Sequence, residues 1–146
     1  MLFTRVTSGG RFALTSLMFD GAFERYPNIR WAFLEAGIGW VPYMMDRLDE
    51  EWERRGQRWA PTLRRKPSEY LRQGNVYVSC EIEERTLPYV VDVLGGDQIL
   101  WASDYPHERE HEEYLSDIPA FAARTDLSEE TKRKILRDNA VRLYEL

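Results

Sequence analysis

Ile99-Leu100-Trp101-Ala102-Ser103-Asp104-Tyr105-Pro106-His107 decides how the rest of the chain is read. Residues 99–102 form an apolar run of the length of a buried strand. Residues 103–107 read as the loop that leaves it, because Pro106 has no amide hydrogen to give to a sheet ladder. The run therefore ends in a carboxylate, a phenol and an imidazole. α/β folds place ligand and metal groups just past the carboxyl ends of their strands. Asp104 stands between two roles: a functional carboxylate at a strand end, or a turn or capping residue beside proline.

Outward from this stretch the same pattern recurs. Residues 75–80 (Asn-Val-Tyr-Val-Ser-Cys) are a strand candidate, followed by the carboxylates Glu81, Glu83 and Glu84. Residues 29–34 are another. Trp31, Ala32, Phe33 and Leu34 are continuously apolar, as expected of a sheet covered on both faces. Glu35-Ala36-Gly37-Ile38-Gly39 then marks a tight loop with a carboxylate at its start.

Helical spacing fills the gaps. Leu14, Leu17, Met18 and Ala22 predict a helix over 11–26, thickened by Phe12, Phe19 and Phe23 and stopped at Tyr26-Pro27. Residues 1–10, ending in Ser8-Gly9-Gly10, are expected to be irregular. Pro42 opens a second helix with Tyr43, Met44, Leu48 and Trp52 as its apolar stripe. Residues from Gly56 onward are expected to be irregular until a short helix at 67–71. Leu87, Val90, Val91 and Leu94 give another helix, closed by Gly95-Gly96. Residues 114–124 read as a helix broken or begun near Pro119. Ser128 caps the last helix, with Glu129 and Glu130 in its first turn and Ile135, Leu136, Ala140 and Leu143 as its buried side.

Strands separated by helical crossovers predict a parallel sheet. A closed β/α barrel needs eight such units and about 250 residues. Three units in 146 residues predict one α/β domain that is part of a larger architecture, or a small open three-layer sheet.

Composition excludes several classes of function. Hydrophobic residues at 43% and charged residues at 31% describe an ordinary globular chain. A net charge of −5 argues against a general nucleic-acid surface, which needs a basic face. The basic run Arg64-Arg65-Lys66 is expected to be a solvated loop. No stretch approaches the roughly 18 apolar residues of a membrane span, and the first residues do not read as a secretory leader. The single Cys80 excludes an internal disulfide and a cysteine-rich zinc module. A cytoplasmic setting is the expectation.

The motifs taken together carry a resemblance. Residues 19–27 (Phe-Asp-Gly-Ala-Phe-Glu-Arg-Tyr-Pro) and 33–43 (Phe-Leu-Glu-Ala-Gly-Ile-Gly-Trp-Val-Pro-Tyr) resemble the amidohydrolase-related family. So do Asp46-Arg47-Leu48-Asp49-Glu50, Pro67-Ser68-Glu69-Tyr70, residues 102–107 and Lys134-Ile135-Leu136-Arg137-Asp138-Asn139-Ala140. That family, amidohydrolase family 2, includes the aminocarboxymuconate-semialdehyde decarboxylase-like enzymes. The match runs over residues 12–146. It implies the C-terminal part of a TIM (β/α)8 barrel, with residues 29–34, 75–80 and 99–102 as strands six, seven and eight. The family's metal-binding Asp follows strand eight and falls on Asp104, which would ligate a divalent ion or take a proton from metal-bound water. Many members carry a His near Glu35, so Glu35 is implied as a base or its orienter, or else as a supporting residue. His107 and Glu35 are expected to contact substrate, with Trp40 or Tyr105 walling the substrate pocket.

The resemblance also implies what this chain does not carry. The family's other metal ligands are a His-x-His or Glu-x-His on strand one and a His after strand five. Here only His107 and His111 are present, and neither makes such a pair. The expectation is a metal-dependent hydrolase, with zinc or manganese in the complete enzyme, present as a portion that does not complete its metal site alone. Two alternatives stay open: a decarboxylase of the same superfamily, and a non-catalytic remnant that acts by association. The expected partners are a small-molecule substrate and either a second copy or the missing half.

Overall fold

The structure, a computed structural model, describes the backbone of residues 2–103 and 114–146 and the side chains of 9–103 and 115–146. Two helices come first, α1 (Leu2–Phe19) and α2 (Ala22–Arg25). Strand β1 (Trp31–Phe33) follows, then α3 (Val41–Trp59), α4 (Pro67–Arg72) and β2 (Val76–Cys80). Helix α5 (Leu87–Leu94) leads to β3 (Ile99–Trp101). After it come α6 (Tyr114–Ala122), α7 (Glu129–Arg133), a π-helical turn (Lys134–Asp138) and α8 (Asn139–Tyr144).

The three strands form one parallel sheet in the order β1-β2-β3, as the helical crossovers require. Trp31 pairs with Val76 and Phe33 with Val78; Val78 pairs with Ile99 and Cys80 with Trp101. All five residues of β2 are buried. Phe33, Val76, Val78, Cys80 and Ile99 share a core with Leu14 and Met18 of α1, Val41 and Met45 of α3, and Leu87 and Val90 of α5. Each such side chain, fully buried, stabilises the fold by about 1.5–3 kcal/mol.

Several expectations are corrected. Residues 1–10 are not irregular: α1 begins at Leu2 and runs through Gly9-Gly10. At Gly10 a Cβ would lie 3.0 Å from that of Ala36, so this glycine serves close packing against the loop after β1. The helix expected over 11–26 breaks at Asp20-Gly21 and resumes as α2. Helix α3 does not end near Gly56. The Trp52 ring folds over that glycine, and the helix continues to Trp59. Its buried side is Val41, Pro42, Met45 and Leu48, whereas Tyr43 is exposed. Strand β1 is covered on one face only, because Ala32 is exposed and Phe33 buried. Helix α6 passes through Pro119. The carbonyl that loses a partner there belongs to the exposed Leu115, where water can serve it.

Candidate functional site at the carboxyl ends of the strands

Each strand delivers its chain into a loop on the same side of the sheet, which parallel pairing makes unavoidable. Glu35, two residues past β1, is exposed and adopts φ 57. For a residue other than glycine this left-handed backbone is strained and costs on the order of 1 kcal/mol. A neighbour holds it: the Glu35 amide donates to Ser79 Oγ at 3.0 Å. Ser79, itself buried, lies on β2 between Val78 and Cys80, on the face those two turn away from.

The next turn of the same loop is gripped by a carboxylate. Ile38 N and Gly39 N donate to Glu84 Oε1 at 2.8 and 3.1 Å. Glu81 N donates to Glu84 Oε2 at 2.9 Å. A Cβ on Gly37 would lie 3.0 Å from Glu84 Oε1, and Gly37 has φ 62. Glycine is therefore needed there both for the turn and for the approach.

The loop after β2 is fixed from behind. Arg124, just past α6, donates to Ile82 O at 2.7 Å and Glu84 O at 3.0 Å. Asp126 holds that guanidinium in two hydrogen bonds, at 2.9 and 2.7 Å. The hydrogen bond from Arg124 in turn keeps the Asp126 carboxyl below its ordinary value.

Cys80, the last residue of β2, is no nucleophile in this setting. Burial first, and then the charges of Glu84 and Glu81, push its thiol up to about 12. Trp40 is half-buried, and its indole N–H donates to Gly37 O at 2.7 Å. Its hydrogen bond is spent inside its own loop, and its side chain packs against the core.

Of the residues singled out from sequence, Glu35 and Trp40 thus share one loop. Asp104, Tyr105 and His107, and also His111, lie outside the described residues. Among the described residues no three His, Cys, Asp or Glu side chains converge as a metal site. Both oxygens of Glu84 are already taken by backbone amides. The described residues alone do not fit a divalent metal. Sequence reasoning missed the parts played by Ser79 and Glu84. The period-2 alternation of β2 could have separated Ser79 from Val78 and Cys80. Nothing local distinguishes Glu84 from Glu81 and Glu83.

Known proteins share the fold that carries this loop cluster. A model of the amidohydrolase family matches residues 10–146. The gamma-resorcylate decarboxylase of Rhizobium sp. is 32% identical over 132 residues, which is 89% of this chain and 38% of that protein. An amidohydrolase from Mycobacterium avium subsp. paratuberculosis superposes with a TM-score of 0.72 at 31% identity. The superposition covers 89% of this chain and 32% of that one. A dihydroxybenzoic acid decarboxylase from Polaromonas sp., solved with bound manganese and 2-nitroresorcinol, superposes with a TM-score of 0.71 at 26% identity. That match covers 94% of this chain and 40% of that one. The chain thus spans between a third and two fifths of the proteins it matches, and its three-stranded sheet is the C-terminal part of their TIM barrel.

Proposed function

The chain belongs to the amidohydrolase family, and from that premise we propose that it supplies the last strands of a decarboxylase barrel acting on a small carboxylic acid such as a hydroxybenzoate. The observation that supports this over hydrolysis is that its similar proteins include the gamma-resorcylate and dihydroxybenzoic acid decarboxylases. Decarboxylation breaks the bond between the substrate carbon and its carboxylate. Carbon dioxide leaves, and the carbon takes a proton.

Glu35 is the acid–base group in this proposal, exposed at the strand ends and held there in a strained backbone. Asp104 is a ligand to a divalent metal, completed by ligands outside the described residues. Tyr105 and His107 contact the substrate, and Trp40 offers its ring as a wall. A metal such as the manganese of the Polaromonas structure would supply a positive charge for the acid's oxygens. The remaining strands of the barrel come from a longer chain or from an associated one.

The test assembles the barrel. The chain is mixed with the N-terminal part of the Rhizobium decarboxylase and manganese, and 2,6-dihydroxybenzoate is added. Release of carbon dioxide is expected, with loss of both metal and turnover in Asp104→Ala. Turnover of amides or esters with no carbon dioxide from any acid would overturn the proposal in favour of a hydrolase.

A further inference from the structure

We propose that Glu84 is a positioning residue, a carboxylate clamp that holds the Glu35 loop at the height and angle at which Glu35 meets substrate. The proposal rests on the reading of Glu35 as an acid–base group, but its geometry stands independently. Glu84 takes three backbone amides from two loops: Ile38 and Gly39 after β1, and Glu81 after β2. A carboxylate offers four lone-pair directions, so all three donors are met at once. Bonds to a charged acceptor are stronger than neutral ones.

The clamp has a fixed base and a defined load. Its base is the Arg124 guanidinium, which grips the Ile82 and Glu84 carbonyls. Its load is a five-residue stretch from Glu35 to Gly39, held at the far end by Ser79. Within that stretch Glu35 and Gly37 have positive φ; glycine adopts it freely, but Glu35 abandons it unless its surroundings enforce it. Glu84 lies next to Gly37 and bonds the two residues after it, so it holds the turn that follows the strained Glu35. The Trp40 indole, bonded to Gly37 O, closes the loop onto itself and travels with it.

Replacement of Glu84 by glutamine separates the parts of the clamp. A glutamine keeps one carbonyl oxygen for Ile38 and Gly39, but turns an amide N–H2 group toward the Glu81 N–H, where two donors face each other. Alanine removes all three acceptors.

Amide hydrogen exchange in this chain reads the outcome residue by residue. In Glu84→Ala, exchange at Ile38, Gly39, Glu81 and Glu35 is expected to rise by about tenfold or more. Val78, bonded to Gln98 O within the sheet, is expected to hold its rate. In Glu84→Gln only Glu81 is expected to move, which keeps a readout if the alanine variant does not fold. Unchanged exchange at Glu35 in Glu84→Ala would overturn the proposal. So would an equal rise at Val78, which would mean that Glu84 serves the whole fold and not the loop. Unchanged exchange at Glu81 in Glu84→Gln would overturn it too. Glu35→Gln leaves the clamp intact, so loss of decarboxylation in that variant tests the role of Glu35 separately.

Discussion

At φ 57 Glu35 holds a backbone that L-residues avoid, two positions before Gly37, which adopts φ 62 without strain. The strain persists because Ser79 and Glu84 hold the loop on either side. Glu35→Gly removes the strain and keeps the amide hydrogen bond, but gives the unfolded chain more freedom. A net gain of no more than about 0.5 kcal/mol in a urea titration is expected, together with loss of turnover in the assembled barrel. A loss of about 0.5–1 kcal/mol, the full cost of a glycine's freedom, would show that the position carries no strain. Cys80 makes a second prediction at this scale. Its thiol is raised to about 12 in the folded chain, against 9.0 when unfolded. Below pH 9 both states hold the proton and stability is unaffected. Above it only the unfolded chain ionises, so stability falls by about 1.4 kcal/mol per pH unit. Between pH 9 and 10.5 the parent is therefore expected to lose stability faster than Cys80→Ala. Parallel curves for the two proteins would contradict the assigned burial.

Among the elements, the join between α8 and β3 is the most exposed to a single change. Asn139 is fully buried, and its Nδ2 donates to Gly96 O at 2.8 Å and Ile99 O at 2.7 Å. Gln98 O already serves Val78 in the sheet, so by alternation the Ile99 carbonyl points to the open side of β3. Asn139→Ala leaves two carbonyls without a donor, and a loss of about 2–3 kcal/mol in denaturant unfolding is expected. A change under about 0.5 kcal/mol, the range of an ordinary surface substitution, would mean that water replaces the side chain. Sequence alone shows the last helical run and the Ser128 cap that opens it at α7, whose Oγ accepts from Thr131 N, but not Asn139 of α8, since nothing local marks a polar residue as buried. The strands were legible because their apolar runs are short and bounded by turn residues. The glycines were not: Gly10 and Gly56 read as breakers, yet both allow a close contact inside a helix. Period also misleads where aromatics border the stripe: it puts Tyr43 inside, whereas the structure exposes Tyr43 and buries Met45. In the site, Glu35 stood out as a carboxylate at a strand end. The use of Glu84 depends on amides 46 and 45 residues earlier, a distance that no local pattern encodes.

For the molecule as a whole, the decisive feature is a parallel sheet with two edges. In the family's barrel the strands close on themselves and leave no edge. Here β1 and β3 each pair only with β2 among the described residues. The edges are not equivalent. Asn139 already occupies a carbonyl on the outer side of β3. On β1, Trp31 N donates to Asn75 O at the head of β2, so Ala32 turns its amide outward by alternation. The side chains flanking it are apolar and open: Ile29 and Leu34 are each 44% exposed. An uncovered edge of this kind recruits another strand. Concentration-dependent association through β1 is therefore expected in sedimentation velocity when this chain is studied alone. Ala32→Pro tests the edge directly. It deletes the outward N–H and leaves the Trp31 bond to Asn75 in place, and proline is tolerated on an edge strand. Leu34→Lys tests it a second way, by placing a charge beside the open strand. Both variants are expected to shift the chain toward monomer with unchanged helical circular dichroism, and adding the N-terminal part of a relative's barrel is expected to compete with self-association. A parent that stays monomeric at concentrations of hundreds of micromolar would show that the β1 edge is already satisfied, and the barrel would then have to be completed elsewhere.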